Sequence, residues 1–221
     1  YLLERIPQTS PDQNGTQFKE ILQLEGNALA GNIEYRFRGE SKQQLFHSIH
    51  STQKDKVQAQ LEKYITNDNK NYQITDVQTA DLAAVDGDLW IRFLARNSNA
   101  VSQFGNEMYI DVDYNKTFNQ LLIDTARRFD YCFPYKYNYQ TETSLQLPQG
   151  YKVTSLPKDL DIQHPDFSFR VTYKTEQQTI RYQKQLQIHN TTLKKAAFEA
   201  WNKAIGQLSS RYLDQITLTK N

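Results

Sequence analysis

Tyr135-Lys-Tyr-Asn-Tyr-Gln-Thr-Glu-Thr-Ser-Leu-Gln-Leu147 is the most regular pattern in the chain. Tyr135, Tyr137, Tyr139, Thr141, Thr143, Leu145 and Leu147 fill one parity. Lys136, Asn138, Gln140, Glu142, Ser144 and Gln146 fill the other. A period of two is the mark of a β-strand with one face on a core and the other in water. At about 3.3 Å per residue this strand would run about 40 Å, longer than most strands, so it is expected to bend and serve two pairings. Pro148, which has no amide proton to donate, stops it.

The same alternation recurs on both sides. Downstream, Phe167, Phe169, Val171 and Tyr173 face one way, as do Ile180, Tyr182, Leu186 and Ile188, with a turn over 175–178. Upstream, Phe18, Leu22 and Leu24 precede Ile33, Tyr35 and Phe37, and Gly26-Asn27 between them predicts a hairpin. Further strands are expected around Tyr72 to Val77, Leu89 to Phe93, Met108 to Tyr114 and Ile216 to Leu218. Two segments read as helical. Ser41 to Ile65 forms one kinked helix or two, opening on a Ser41/Gln44 capping box. Leu193 to Tyr212 carries a stripe of Ala197, Trp201, Ala204, Ile205, Leu208 and Tyr212. Lys116 to Phe129 is ambiguous, because Phe118, Leu121, Leu122 and Ala126 would make a short amphipathic helix.

This order predicts an α+β fold, mainly β, with antiparallel, sandwich-like sheets and two or three packed helices. The expected division is a linker or entering arm over 1–15, a first β-rich subdomain with a helix over 16–130, and a second with a C-terminal helix over 131–221. The 221 residues are enough to bury a substantial core. With 26 basic against 25 acidic residues, the chain has no electrostatic footprint for nucleic acid. Its longest apolar runs fall far short of a membrane span, so no insertion is expected. Its first residue is Tyr1, which suggests a processed product or a piece of a longer chain.

The candidates for chemistry are few. Cys132 is the lone thiol, with His164 and Asp166 downstream. It sits in Phe-Asp-Tyr-Cys-Phe-Pro, among bulky neighbours, and free cysteine is among the most buried residue types. It therefore reads as a structural residue, and no catalytic residue is assigned. His47 and His50 share a helix face but lack further metal ligands. Asp111 and Asp113 share a strand face, as alternation on an exposed face would place them. No phosphate loop, dinucleotide fingerprint or serine elbow occurs, so neither cofactor nor metal is expected. Tyr135, Tyr137 and Tyr139 are the candidate binding surface, a stacking ladder for sugars or bases, set against the ordinary reading of a half-buried strand face.

Several strings resemble one family. Ile6-Pro-Gln-Thr-Ser-Pro-Asp-Gln-Asn14 looks like the segment that follows the catalytic core in bacterial transglutaminase-like proteins. Gly31-Asn-Ile-Glu-Tyr-Arg-Phe-Arg-Gly39 is similar to the first hairpin after that core. Phe133-Pro-Tyr and Leu147-Pro-Gln-Gly-Tyr-Lys-Val-Thr-Ser-Leu-Pro157 resemble its most recognisable turn. Ile180-Arg-Tyr, the Trp201 helix and Ile216-Thr-Leu-Thr-Lys220 match its closing order. The resemblance implies a non-catalytic, β-rich accessory region, C-terminal to a papain-like core whose Cys-His-Asp residues would lie upstream of Tyr1. It implies a periplasmic, cell-surface or secreted setting, with that upstream core of the same polypeptide as partner. The alternative is an independent extracytoplasmic module that binds a peptide or glycan.

Overall fold

The computed structural model describes residues 9–82, 84 and 86–220, with the side chains of His50 and Lys54 left undescribed. Most of the 1–15 arm, the start of the Ile6 string and the side chain of His50 therefore lie outside the described residues. The strands are β1 (Gly15–Glu25), β2 (Ala28–Phe37), β3 (Tyr72–Thr79), β4 (Leu89–Asn97), β5 (Val101–Phe104), β6 (Glu107–Ile110), β7 (Tyr131–Cys132), β8 (Asn138–Gln146), β9 (Tyr151–Ser155), β10 (Leu160–Gln163), β11 (Phe167–Glu176), β12 (Thr179–Ile188), β13 (Thr192–Leu193) and β14 (Ile216–Lys220). The helices are α1 (Glu40–His50), α2 (Val57–Thr66) and α3 (Phe198–Arg211). The fold is α+β and mainly β, as the alternation predicts.

Eight strands form one sheet in the order β10-β11-β12-β8-β1-β2-β4-β3, four form a second in the order β5-β6-β14-β9, and β13 pairs with β7. The Gly26-Asn27 turn joins β1 to β2, and a turn at Gln177 joins β11 to β12, so both hairpins stand where the sequence places them. The long alternating segment is regular strand only from Asn138. As β8 it serves two pairings, with β12 antiparallel and with β1 parallel, Gly15 opposite Asn138 through Gln23 opposite Gln146. A parallel pair needs a long crossover, and here more than a hundred residues separate the partners. Segments 16–130 and 131–221 thus share the large sheet.

One face of that sheet is buried. Phe18, Leu22, Ile33, Tyr35, Phe37, Ile91 and Phe93 of its first half join Leu145, Phe167, Phe169, Val171, Ile180 and Leu186 of its second in one core. Trp201 of α3 has no exposed surface and meets Phe167 and Phe169 edge-on, so α3 packs on the β11 side. Tyr64 of α2 meets Phe37 on the β2 side. The smaller sheet adds Ile110, Ile216 and Leu218 to the same core.

Local readings diverge in several places, one being that the strand expected over Met108 to Tyr114 ends at Ile110. The Ser41/Gln44 box does not cap α1. Its N-cap is Gly39, at φ 57°, and a Cβ there would lie 2.1 Å from the Gln13 carbonyl oxygen. Only glycine makes that turn without strain. Lys42 of α1 is buried, and its ammonium donates to the carbonyls of Ala84, Asp86 and Gly87 at 3.2, 3.3 and 2.8 Å, tying the β3–β4 loop to the helix. Lys116 to Phe129 is not helical. Phe118 and Gln120 take positive φ, which breaks helical winding, and the segment's polar groups go to α3 instead. Trp201 Nε1 donates to Leu121 O at 2.8 Å, and Ile123 N donates to Asn202 Oδ1 at 2.8 Å. Finally, α3 starts at Phe198 rather than Leu193, because Leu193 pairs with Tyr131 and the Lys195 amide donates to Asp130.

Candidate functional site

The tyrosine ladder lies on the helix side of the large sheet. Tyr135 is buried, and its hydroxyl donates to Gln44 Oε1 at 3.1 Å and sits 3.4 Å from Ser41 Oγ. Those are the residues that sequence had placed in the capping box. Tyr137 and Tyr139 are half-buried, stacked with centroids 5.4 Å apart, and Phe118 meets both edge-on. Burial pushes all three phenols upward in pKa. The structure brings the three together, packed against the interior rather than displayed on the open face.

Cys132 is exposed, contrary to the expectation of a buried structural thiol. The reason is local. The two-residue β7 pairs only with Thr192 and Leu193, so alternation turns Phe133 inward and Cys132 outward. His164 is occupied elsewhere: its Nδ1 accepts from the Asp166 amide at 3.2 Å, and its ring stacks on Phe167 at 4.5 Å. Among the described residues no hydrogen bond or ion pair joins Cys132 to a histidine. Asp130, two residues before it, pairs with Lys194 at 2.8 Å, and that contact holds the Asp130 carboxyl below its ordinary range.

Buried charges sit at the middle of the sheet's inner face. Lys184 Nζ donates to Asp113 Oδ1 and Oδ2 at 2.8 and 2.7 Å, and Tyr182 Oη donates to Asp113 Oδ2 at 2.7 Å. Lys184 also donates to the Asn115 carbonyl at 2.5 Å and lies 5.0 Å from the Tyr212 ring centroid. Glu20, two strands away, accepts from Thr143 Oγ1 at 2.7 Å. Burial is the main cause that pushes its carboxyl up to about 7. Asp111 and Asp113 do not act as a pair of exposed carboxylates. Asp111 bonds Lys116 at 2.6 Å, whereas Asp113 is buried on Lys184. Sequence reading missed Glu20 and Lys184, although a signal was there. Each is a charge on the apolar parity of its strand, between Phe18 and Leu22 and between Tyr182 and Leu186.

The opposite face of the large sheet is open and polar. Register aligns Arg170, Gln185, Gln140, Gln17, Arg36 and Trp90 in one row across six strands. Its arginines are matched: Arg36 and Arg92 with Glu34, Arg96 with Glu25, Arg170 with Asp161, and Arg181 with Glu176. The Gln17, Gln140 and Gln183 amides make no hydrogen bond among the described residues. An open trough of about 810 Å³ runs over Lys19, Ile21, Asn32, Glu34, Arg92 and Leu94. Two smaller clefts of about 200 Å³ each lie on the same face, one over Gln17 and Arg36, which it shares with the trough, the other over Gln140 and Gln183. Such a surface has hydrogen-bonding groups and relief, and it is open to solvent.

Among the described residues no three His, Cys, Asp or Glu side chains stand together as a metal site, and no helix is long and apolar enough to cross a membrane. Comparison with protein families matches residues 106–218 to the family described as "Domain of Unknown Function with solved-structure structure (DUF3858)". The matched span opens one residue before β6 and closes in β14, and these two strands pair, with Ile110 opposite Ile216. No curated protein and no solved structure matches the chain.

Proposed function

This chain belongs to the DUF3858 family, and on that premise we propose that it is a non-catalytic accessory module whose open sheet face meets a partner. The observation that carries the reading is that face: eight strands wide, solvent-facing and hydrogen-bonding, with its arginines ion-paired. A face of this breadth suits a macromolecular contact, whereas a small substrate calls for an enclosing pocket.

The proposal extends to the parent protein. The Leu147–Pro157 turn and the Gly31–Gly39 strand carry the resemblance to transglutaminase-like proteins, and both have a structural role here. Gly150, at φ 78°, makes the turn from β8 into β9, and Gly31 lies in β2. On this reading a transglutaminase-like core precedes the module in the same polypeptide, and the setting is periplasmic, cell-surface or secreted. The second reading is an independent extracytoplasmic module for a peptide or glycan. It is favoured by the unpaired glutamine amides on the open face.

Sequencing the full transcript tests the proposal. A Cys-His-Asp core just upstream of Tyr1 is the expected result. A reading frame that starts near Tyr1 with a secretion signal would replace the first reading with the second.

A further inference from the structure

We propose that the open face of the large sheet is a binding site for a neutral, hydroxyl-rich polymer, a glycan chain lying across the strands. The inference rests on reading that face as a partner surface and names the partner's chemistry.

The argument begins with charge. The arginines that project from this face, Arg36, Arg92, Arg96, Arg170 and Arg181, are all ion-paired to carboxylates on the same face, with Arg36 and Arg92 sharing Glu34. A polyanion draws its affinity from unmatched cations; here the guanidinium groups are already engaged and Lys19 of the trough stands opposite Glu142 on β8, with Lys174 set apart toward the end of β11. A neutral ligand asks for no such surplus.

Hydrogen-bonding capacity comes next. Gln17, Gln140 and Gln183 lie on β1, β8 and β12, which are consecutive strands. Gln17 stands opposite Gln140, and Gln183 opposite Glu142 in the neighbouring register row. Their side-chain amides have no partner among the described residues. Each offers two donors and an acceptor, and a sugar hydroxyl both donates and accepts. Gln185, opposite Gln140, donates weakly to Asn138 Oδ1 at 3.3 Å and extends the patch.

The third element is shape with apolar contact. The trough borders the cleft over Gln17 and Gln140 at Arg36. In it Ile21 and Leu94, which are 66% and 39% exposed, flank Asn32 on successive strands. Exposed C–H surface beside amides suits a pyranose ring, which is polar at its rim and apolar on its faces. Strands stand about 4.8 Å apart, so the row from Arg170 to Trp90 spans about 24 Å, room for several sugar units.

The test is a titration of the ¹⁵N-labelled chain with three neutral hexasaccharides, cellohexaose, chitohexaose and mannohexaose, read on the glutamine side-chain amide signals. Heparin and a tryptic casein digest are run beside them. The variant is Gln17→Ala/Gln140→Ala/Gln183→Ala, whose solvent-facing sites leave the core untouched; its backbone spectrum verifies the fold. The expected result is that at least one hexasaccharide shifts these amides with a Kd below about 1 mM, that the variant weakens it about tenfold or more, and that raising salt leaves it unchanged. The proposal is overturned if no hexasaccharide shifts the amides, if the variant binds as well as the native chain, or if only heparin or only the peptides bind. The transcript test of the accessory reading is independent of this titration, so either can fail alone.

Discussion

Lys184 Nζ donates to both carboxylate oxygens of Asp113, at 2.8 and 2.7 Å, with side chains only 1% and 5% exposed. The pair ties β12 of the large sheet to the strand-free segment that leaves β6. Removing one partner strands the other charge in the core. Asp113→Asn or Lys184→Met should each cost about 3–5 kcal/mol in urea unfolding. The double variant Asp113→Asn/Lys184→Met should cost clearly less than the sum of these two singles. Additive losses would show that the two charges do not interact.

Glu20 makes stability depend on pH in an unusual direction for a carboxylate. Its pKa is raised from an ordinary 4.5 to about 7, first by burial, then by Asp113, against the opposing pull of Thr143 and Lys184. Between those values the folded chain holds a proton that the unfolded chain has released. The contribution to stability is therefore full below pH 4.5 and is lost as pH rises through about 7, a total of roughly 3 kcal/mol. Glu20→Gln keeps the hydrogen-bonding capacity without the charge. The variant should be more stable than the native chain at pH 8, and the gain should shrink toward pH 5. A gain that does not change with pH would contradict this.

Trp201→Ala removes a fully buried indole that meets Phe133, Phe167 and Phe169, and it leaves the Leu121 carbonyl without its donor. The expected cost is about 3–5 kcal/mol. Because that carbonyl lies in the 117–124 segment, hydrogen exchange there should accelerate along with α3. Exchange faster in α3 alone would show that the two are not coupled.

Cys132 should label readily in the native state, because its thiol is exposed. Cys132→Ser should leave the melting temperature within about a degree, as surface substitutions do. Protection of the native thiol from a maleimide would contradict the exposed placement.

The long strands were legible because alternation is a local signal, whereas β5, β7, β9, β10 and β13 are too short to show a period and were not read. The β11–β12 hairpin and the Gly26-Asn27 turn followed from spacing alone. The parallel pairing of β1 with β8 was not legible, since nothing near Gly15 names a partner at Asn138. The 116–129 segment misled because helical spacing of Phe118, Leu121 and Leu122 arises here from a loop that drapes over α3. Cys132 misled because a general preference for burial yields to the register of one two-residue strand. The open face was written in the even-numbered residues of the opening stretch. Gln140 and Glu142 read there as ordinary solvated positions, and only the register shows that they adjoin Gln17 and Gln183.

The central claim is that this module acts by contact and carries out no covalent chemistry. Acyl transfer needs a nucleophile, a base and oxyanion donors converging on one carbonyl. The direct measurement incubates the purified chain with a glutamine-containing peptide and a primary-amine donor, beside Cys132→Ser, and follows ammonia release and peptide cleavage. The account predicts that the chain and the variant both stay at the rate of buffer alone. Turnover by the native chain that disappears in Cys132→Ser would contradict it.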